Sequence, residues 1–350
     1  MAVNEGSIFS SYQLDSETDR YTWASWTLFV VVSSLLGDTA ILVASIRYKA
    51  FKLHKFTVTF IQHIAVSDLI LAITYVAPSF ASLVANSWAF GSVSCYLQPY
   101  PVWLCCQGSM FLICGMTTSK IFQLKYPLRA RSWTKKQAHR ICAGIWLLAL
   151  YYPICFLIIG PDDAAFDYRV YFCNPTFSSP KWRLLLPISF LAIGVIPNII
   201  IILTTAFLLY KAKMAISKRE GKGKLKWQGI LTVVLTASVY ILSYLPVTIY
   251  FIAANFVKMD PAALGWFHLH YHRIAVSLTH TNIMSNFFVY SLTVDSFRTY
   301  LWQTLLCRPY TPIKYQGDYN AVYCEFENLE TLNFQNKFYV LYSVNLQSAN

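Results

Sequence analysis

Residues 95–129 read CYLQPYPVWLCCQGSMFLICGMTTSKIFQLKYPLR, from Cys95 to Arg129. No charged residue occurs in this stretch before Lys120. As one helix rising about 1.5 Å per residue, the run from Cys95 to Lys120 reaches roughly 37 Å. That exceeds the hydrocarbon core of a bilayer, about 30 Å, and leaves room for tilt. A cysteine marks one end. A lysine followed by a basic loop marks the other. The stretch reads as a membrane span with two chemically different mouths.

The rest of the chain repeats this pattern. Of 350 residues, 56% are hydrophobic and only 13% charged, against about 25% charged in an ordinary soluble domain. Mean hydropathy is +0.44. Seven apolar segments stand out, at 22–46, 57–84, 95–125, 140–159, 184–209, 228–256 and 274–294. Each is long enough to span, and a backbone in lipid must satisfy its own hydrogen bonds, so each is expected to be a helix. The expected fold is an all-α membrane protein, a seven-transmembrane helix bundle at 22–294. A polar N-terminal tail at 1–21 precedes it. Met1–Arg20 lacks the basic start and apolar core of a leader, so the first span is expected to act as its own insertion signal.

The net charge of +12 is not that of a nucleic-acid binder, because the basic residues sit in short segments between apolar runs. Arg47, Lys49, Lys52 and Lys55 follow span one. Lys125, Arg129, Arg131, Lys135, Lys136 and Arg140 follow span three. Lys211, Lys213, Lys218, Arg219, Lys222, Lys224 and Lys226, with Glu220, follow span five. Basic loops stay cytoplasmic, which predicts an extracellular N-terminus, a cytoplasmic C-terminus and a multi-pass protein of the plasma membrane. Such loops also favour anionic membrane lipids. Residues 295–307 place Phe297, Tyr300, Leu301 and Leu305 at helical spacing, as expected of a short amphipathic eighth helix on the inner membrane face. Cys307 at its end is a candidate for lipidation, and 308–350 is expected to be a cytoplasmic tail. Of the nine cysteines, only Cys95 and Cys173 fall at span edges on the outer, oxidising side.

Several residues carry a more specific pattern: Gly37-Asp38 in span one, Asp68 within HIAVSDLILA in span two, and WAFGSVSC at 88–95. Trp146 follows in span four, Pro197 in span five, Ser243-Tyr244-Leu245-Pro246 in span six, Asn286-Phe287-Phe288-Val289-Tyr290 in span seven, and Phe297-Arg298 beyond it. In order and spacing the chain resembles the rhodopsin-like (class A) G-protein-coupled receptors over roughly residues 30–307.

The resemblance implies a receptor that transduces an extracellular ligand, small molecule or peptide, to heterotrimeric G proteins and to arrestin. It is not an enzyme, and no resident cofactor or metal is implied beyond Na⁺ as an allosteric ion. It implies a disulfide between Cys95 and Cys173. It implies a sodium or water-filled polar site around Asp68, with Ser109, Asn282 and Asn286 of the expected types and Asp38 nearby as a second carboxylate. A plain hydrogen-bonded core acid is the alternative reading of Asp68. Val102 stands where amine-binding members have an aspartate, which argues against a monoamine. His280 stands where opsins carry the retinal-linking lysine, which argues against retinal. Trp103, His280 and Tyr271 join Val102 as candidates for the ligand pocket, though each aromatic is equally an interface side chain. His268, His270 and His272 at the entry to span seven read as a two-histidine metal spacing, a proton sensor or simple loop histidines.

The departures from the family are concentrated at its switches. Its Asp-Arg-Tyr is here Ser119-Lys120-Ile121, and the following Tyr126-Pro127-Leu128-Arg129 fixes the alignment. Lys lacks the planar fork of Arg, and the facing position in span six is Lys226, so the inactive-state clamp is expected to be weak. Tyr244 before Pro246 replaces the tryptophan of the family's toggle. Phe287 replaces a proline and removes the usual kink-former before Tyr290. A decoy or arrestin-biased receptor without G-protein coupling therefore remains a second reading. A seven-span transporter or channel is a third, disfavoured by the absence of an internal repeat.

Overall fold

The computed structural model describes residues 16–51, 53–159, 163–167, 170–176, 194–217, 224–256 and 261–306. Helix α1 is Glu17–Ile46, α2 runs over Lys55–Ala85, and α3 over Gly91–Lys125. Helix α4 comprises Lys135–Ala149 and Tyr151–Ile159, α5 is Ile196–Ser217 and α6 is Lys224–Phe256. Helix α7 is Pro261–Thr293 and α8 is Asp295–Leu305. Strands β1 (Asp163–Asp167) and β2 (Phe172–Thr176) form an antiparallel hairpin between α4 and α5.

By length and composition, five described stretches are apolar enough to cross a membrane: Glu17–Ile46, Lys55–Ala85, Gly91–Lys125, Lys135–Cys155 and Gln228–Tyr250. Ile196–Lys211 is a shorter apolar helix. Helix α7 is less apolar because its buried face carries His280, Asn282, Ser285 and Asn286. Such groups are kept in a bundle only where they face its interior.

The bounds differ from the sequence expectation at three places. Helix α1 begins at Glu17 rather than 22, because the Ser16 side chain accepts from the Asp19 backbone N–H at 3.4 Å and Glu17 and Asp19 occupy the positive end of the helix dipole. Helix α7 begins at Pro261, so His268, His270 and His272 lie on the helix and not in a loop. The β-hairpin was not anticipated; its turn uses Tyr171 at φ 55°.

Helix packing depends on small residues. A Cβ placed on Gly37 of α1 would lie 2.6 Å from the Cβ of Phe287 on α7, and one on Gly108 of α3 would lie 2.8 Å from the Trp146 ring on α4. Without these glycines the helices could not approach so closely. Phe287, in place of the family's proline, thus packs into the notch at Gly37, and α7 runs unbroken from Pro261 to Thr293.

Helix α2 contains a π-turn at Ala72–Val76, just before Pro78. Pro78 has no N–H to offer the Thr74 carbonyl. Gln98 of α3 donates to that carbonyl at 3.2 Å and accepts the Cys173 N–H at 2.9 Å. One side chain therefore joins α2, α3 and β2. The disulfide Cys95–Cys173 ties the same region, with Cα atoms 5.2 Å apart. At the opposite end, Phe51 and Tyr48 from the α1–α2 loop meet Phe297 and Tyr300 of α8, with ring centroids 4.8 and 5.1 Å apart.

Candidate functional site

The sequence points to a polar centre, and the structure supplies most of it. Asp68 on α2 is fully buried, and the Asn286 amide on α7 donates to its Oδ2 at 2.6 Å. Asp38 on α1 is 1% exposed, accepts from Ser34 at 2.6 Å, and lies near enough for its charge to act on Asp68. Asn282 is buried one turn from Asn286 on α7. Ser109 is also buried, but it donates to Ser67 at 2.9 Å, and Ser67 donates to the Cys105 carbonyl at 3.0 Å. The hydroxyl expected beside Asp68 is thus engaged by its neighbour on α2.

Asp38 Oδ1 and Asp68 Oδ1 have no hydrogen-bond partner among the described residues. Buried acceptors without donors are costly. Two such oxygens on neighbouring carboxyl groups make a hard oxygen donor set suited to a small cation or to water. The residues present fit Na⁺ on this ground.

The ligand-pocket candidates separate. Val102 is buried in the main core cluster with Tyr75 and Val247, and Tyr244 packs against that cluster. Trp103 is half-buried on α3. His280 is 3% exposed, its ring edge-on to Tyr75 at 4.8 Å, and neither ring nitrogen has a hydrogen-bond partner among the described residues. Tyr271 instead donates to the Pro246 carbonyl at 3.0 Å, so its hydroxyl fastens α7 to α6. Tyr244 stacks on Tyr240 at 4.6 Å, and its hydroxyl reaches Cys106 Sγ at 3.7 Å. His272 stacks on Tyr250 at 4.3 Å. The His268 side chain and Cys307 lie outside the described residues.

At the inner end the structure describes one of the two expected lysines. Lys120 is 7% exposed and reaches over Gly229 of α6, where an added Cβ would lie 2.6 Å from its Nζ and 3.8 Å from Leu53. Lys226 is one turn earlier on α6, and its side chain lies outside the described residues. Ser119 turns back to the Met116 carbonyl at 2.8 Å, and Ile121 is half-buried. Tyr290 is fully buried, edge-on to Phe51 at 5.9 Å.

Two features here were missed in the sequence. Gln228 of α6 donates to Asp295 Oδ2 at the head of α8, whose Oδ1 accepts from Arg298 at 2.5 Å, and Thr232 donates to Thr293 at 2.9 Å. His54 caps α2 and bonds the Ala130 carbonyl of the α3–α4 loop at 3.1 Å. Burial pushes the His54 imidazole below its usual pKa; the Ala130 carbonyl opposes this, and the charges of Lys120 and Lys55 add to it. Only the α-helical periodicity of Gln228 and Thr232, one turn apart, hinted at the first feature.

A buried carboxyl group bonded across helices is expensive in a membrane and is kept where it faces the interior of a bundle. The model of the 7 transmembrane receptor (rhodopsin family) matches residues 39–290, and the chain belongs to that family. It is 26% identical over 186 residues to the annetocin receptor of Eisenia fetida, covering 51% of this chain and 43% of that protein. It is 25% identical over 262 residues to the RYamide receptor of Drosophila melanogaster, covering 69% and 55%. It is 28% identical over 158 residues to the melatonin receptor type 1A of Ovis aries, covering 45% and 42%. The chain thus spans about half the length of these curated relatives.

Proposed function

We propose that the protein is a plasma-membrane receptor, N-terminus outside and C-terminus inside, that couples an extracellular ligand to heterotrimeric G proteins. The observation that carries this reading is the bond from Asn286 to Asp68 at the centre of the bundle, beside two carboxyl oxygens without hydrogen-bond partners among the described residues. A costly polar seam of this kind suits a protein with two packings whose balance a ligand shifts. The relatives named for annetocin and RYamide favour a peptide over a monoamine, as does Val102 at the place of the amine-binding aspartate. The test is nucleotide exchange on purified G proteins, with the receptor challenged by peptide and small-molecule libraries. Exchange with some ligand is the expected result. Arrestin recruitment without exchange by any ligand would favour the decoy reading, for which Ser119-Lys120-Ile121 is the motive.

Na⁺ is the proposed occupant of the Asp38–Asp68 seam. It would favour the inactive packing by offsetting negative charge on the carboxyl pair and by giving their unpaired oxygens a partner. Replacing Na⁺ by a large organic cation is expected to raise ligand-free exchange, and Asp68→Asn is expected to abolish that sensitivity. Equal exchange in both salts for the unaltered protein would remove the ion from the account. Ser119, Lys120, Ile121, Lys226 and Tyr290 are proposed as the coupling switch at the inner end, Tyr244 with Pro246 as the toggle, and Cys307 as a lipid anchor. Val102, Trp103 and His280 are proposed for the ligand cavity, with Tyr271 holding its wall.

A further inference from the structure

A groove of about 570 Å³ opens between α2, α3 and α4 at the basic end of the bundle. Its size falls within the range of small-molecule sites, about 300–1,000 Å³. We propose that it binds one acyl chain of an anionic inner-leaflet phospholipid, with the headgroup held by Arg140. The inference rests on the membrane orientation proposed above.

The wall is apolar and stiff. Phe60, Phe122, Trp133 and Ile141 line it, and Gly115 forms its floor. A Cβ at Gly115 would lie 2.9 Å from Phe60 and 3.3 Å from Ile145, so these side chains close on α3 there because that position lacks one. Trp133, from the α3–α4 loop, is fixed between Phe56 at 4.4 Å and Phe122 at 4.9 Å, and it closes the solvent end. Flat ring faces around a slot suit a hydrocarbon chain.

The rim supplies the charge. Arg140 is exposed at the groove and makes no ion pair or hydrogen bond among the described residues. Lys136 is exposed one turn earlier on the same helix, and residues four apart share a face. Among the described residues no carboxylate lines the groove; Ser119 does, at the position where the family has an acid. A cytoplasmic basic pocket between spans is matched to the anionic lipids of that leaflet. A soluble anion would leave the apolar slot without contacts, and a sterol would bring no anion to Arg140.

Native mass spectrometry of the full-length protein in detergent, titrated with phosphatidylserine, phosphatidylcholine, oleate or a sterol, tests this. The unaltered protein is expected to retain phosphatidylserine over phosphatidylcholine by about fivefold for each basic residue engaged. Arg140→Gln is expected to reduce that preference by about fivefold. Thr118→Trp, at an exposed position on the groove, is expected to lose both phospholipids with an unchanged unfolding midpoint. Equal retention of the two phospholipids, an unaltered preference in Arg140→Gln, or phosphatidylserine kept by Thr118→Trp would each overturn the proposal. So would its displacement by oleate or sterol. An epitope inserted in the 129–134 loop reports orientation separately: reactivity on intact cells would refute the topology while leaving the detergent binding result to be judged by itself.

Discussion

Two glycines show how the same substitution has opposite consequences in different surroundings. At Gly229 an added Cβ meets only the far end of Lys120, its Nζ at 2.6 Å. That end swings away readily, and a helix interior gains about 1 kcal/mol on replacing Gly by Ala. Gly229→Ala is therefore expected to leave the unfolding midpoint unchanged or raised, while displacing Lys120 from α6. If Lys120 helps hold α3 against α6, ligand-free nucleotide exchange rises; unchanged exchange would assign Lys120 to packing alone. At Gly37 the added Cβ meets Phe287 Cβ at 2.6 Å and Cγ at 2.8 Å, atoms fixed to the α7 backbone. Gly37→Ala is expected to force α1 from α7 and destabilise the protein by about 1–3 kcal/mol, read as a lowered midpoint in detergent.

The joints between elements hold the least legible part of the structure. His54 couples the α1–α2 loop to the α3–α4 loop, and it does so as a neutral ring, with Nδ1 accepting from Phe56 and Nε2 donating to Ala130. Its folded pKa lies below the ordinary 6.5, so the unfolded chain binds the proton more readily. The stability gained by burying the neutral ring is present above about pH 6.5 and is lost as pH falls through the lower folded value. Thermal unfolding followed downward from neutral pH is expected to show this loss, and His54→Gln is expected to flatten it. Helix positions were legible from runs of apolar residues, whereas the central acids and the disulfide pair were legible through the resemblance to the family's motifs. Gln98 was not: its bond to the Thr74 carbonyl exists only because Pro78, four residues on, removes a donor from a helix that α3 happens to pass. The hairpin was likewise hidden, since its short strands carry no repeating pattern. The resemblance implies Ser109 beside Asp68, whereas its hydroxyl partner in the structure is Ser67, a pairing set by the relative rotation of α2 and α3.

Across the whole bundle, the absence of the family's acid beside Lys120 raises the question of what keeps α6 closed at its inner end. The described contacts place the polar closure between α6 and the α7–α8 junction. Gln228 donates to Asp295, which also holds Arg298, and Thr232 donates to Thr293 one turn deeper. These bonds connect α6 directly to the segment that turns the chain onto the membrane surface. Outward movement of the inner end of α6 must break them, and hydrogen bonds to a charged group are worth about 1.5–3 kcal/mol each. Asp295→Ala is accordingly expected to shift the resting balance toward the open packing, by about tenfold for each 1.4 kcal/mol lost. The readout is ligand-free nucleotide exchange, with Thr232→Val as a milder companion because it removes only a neutral bond. Removing Arg298 alone leaves the Gln228 bond in place and is expected to have the smaller effect. If Asp295→Ala is silent while Gly229→Ala is active, the closure lies at Lys120 after all, held by packing against α6 and not by a polar link to α8.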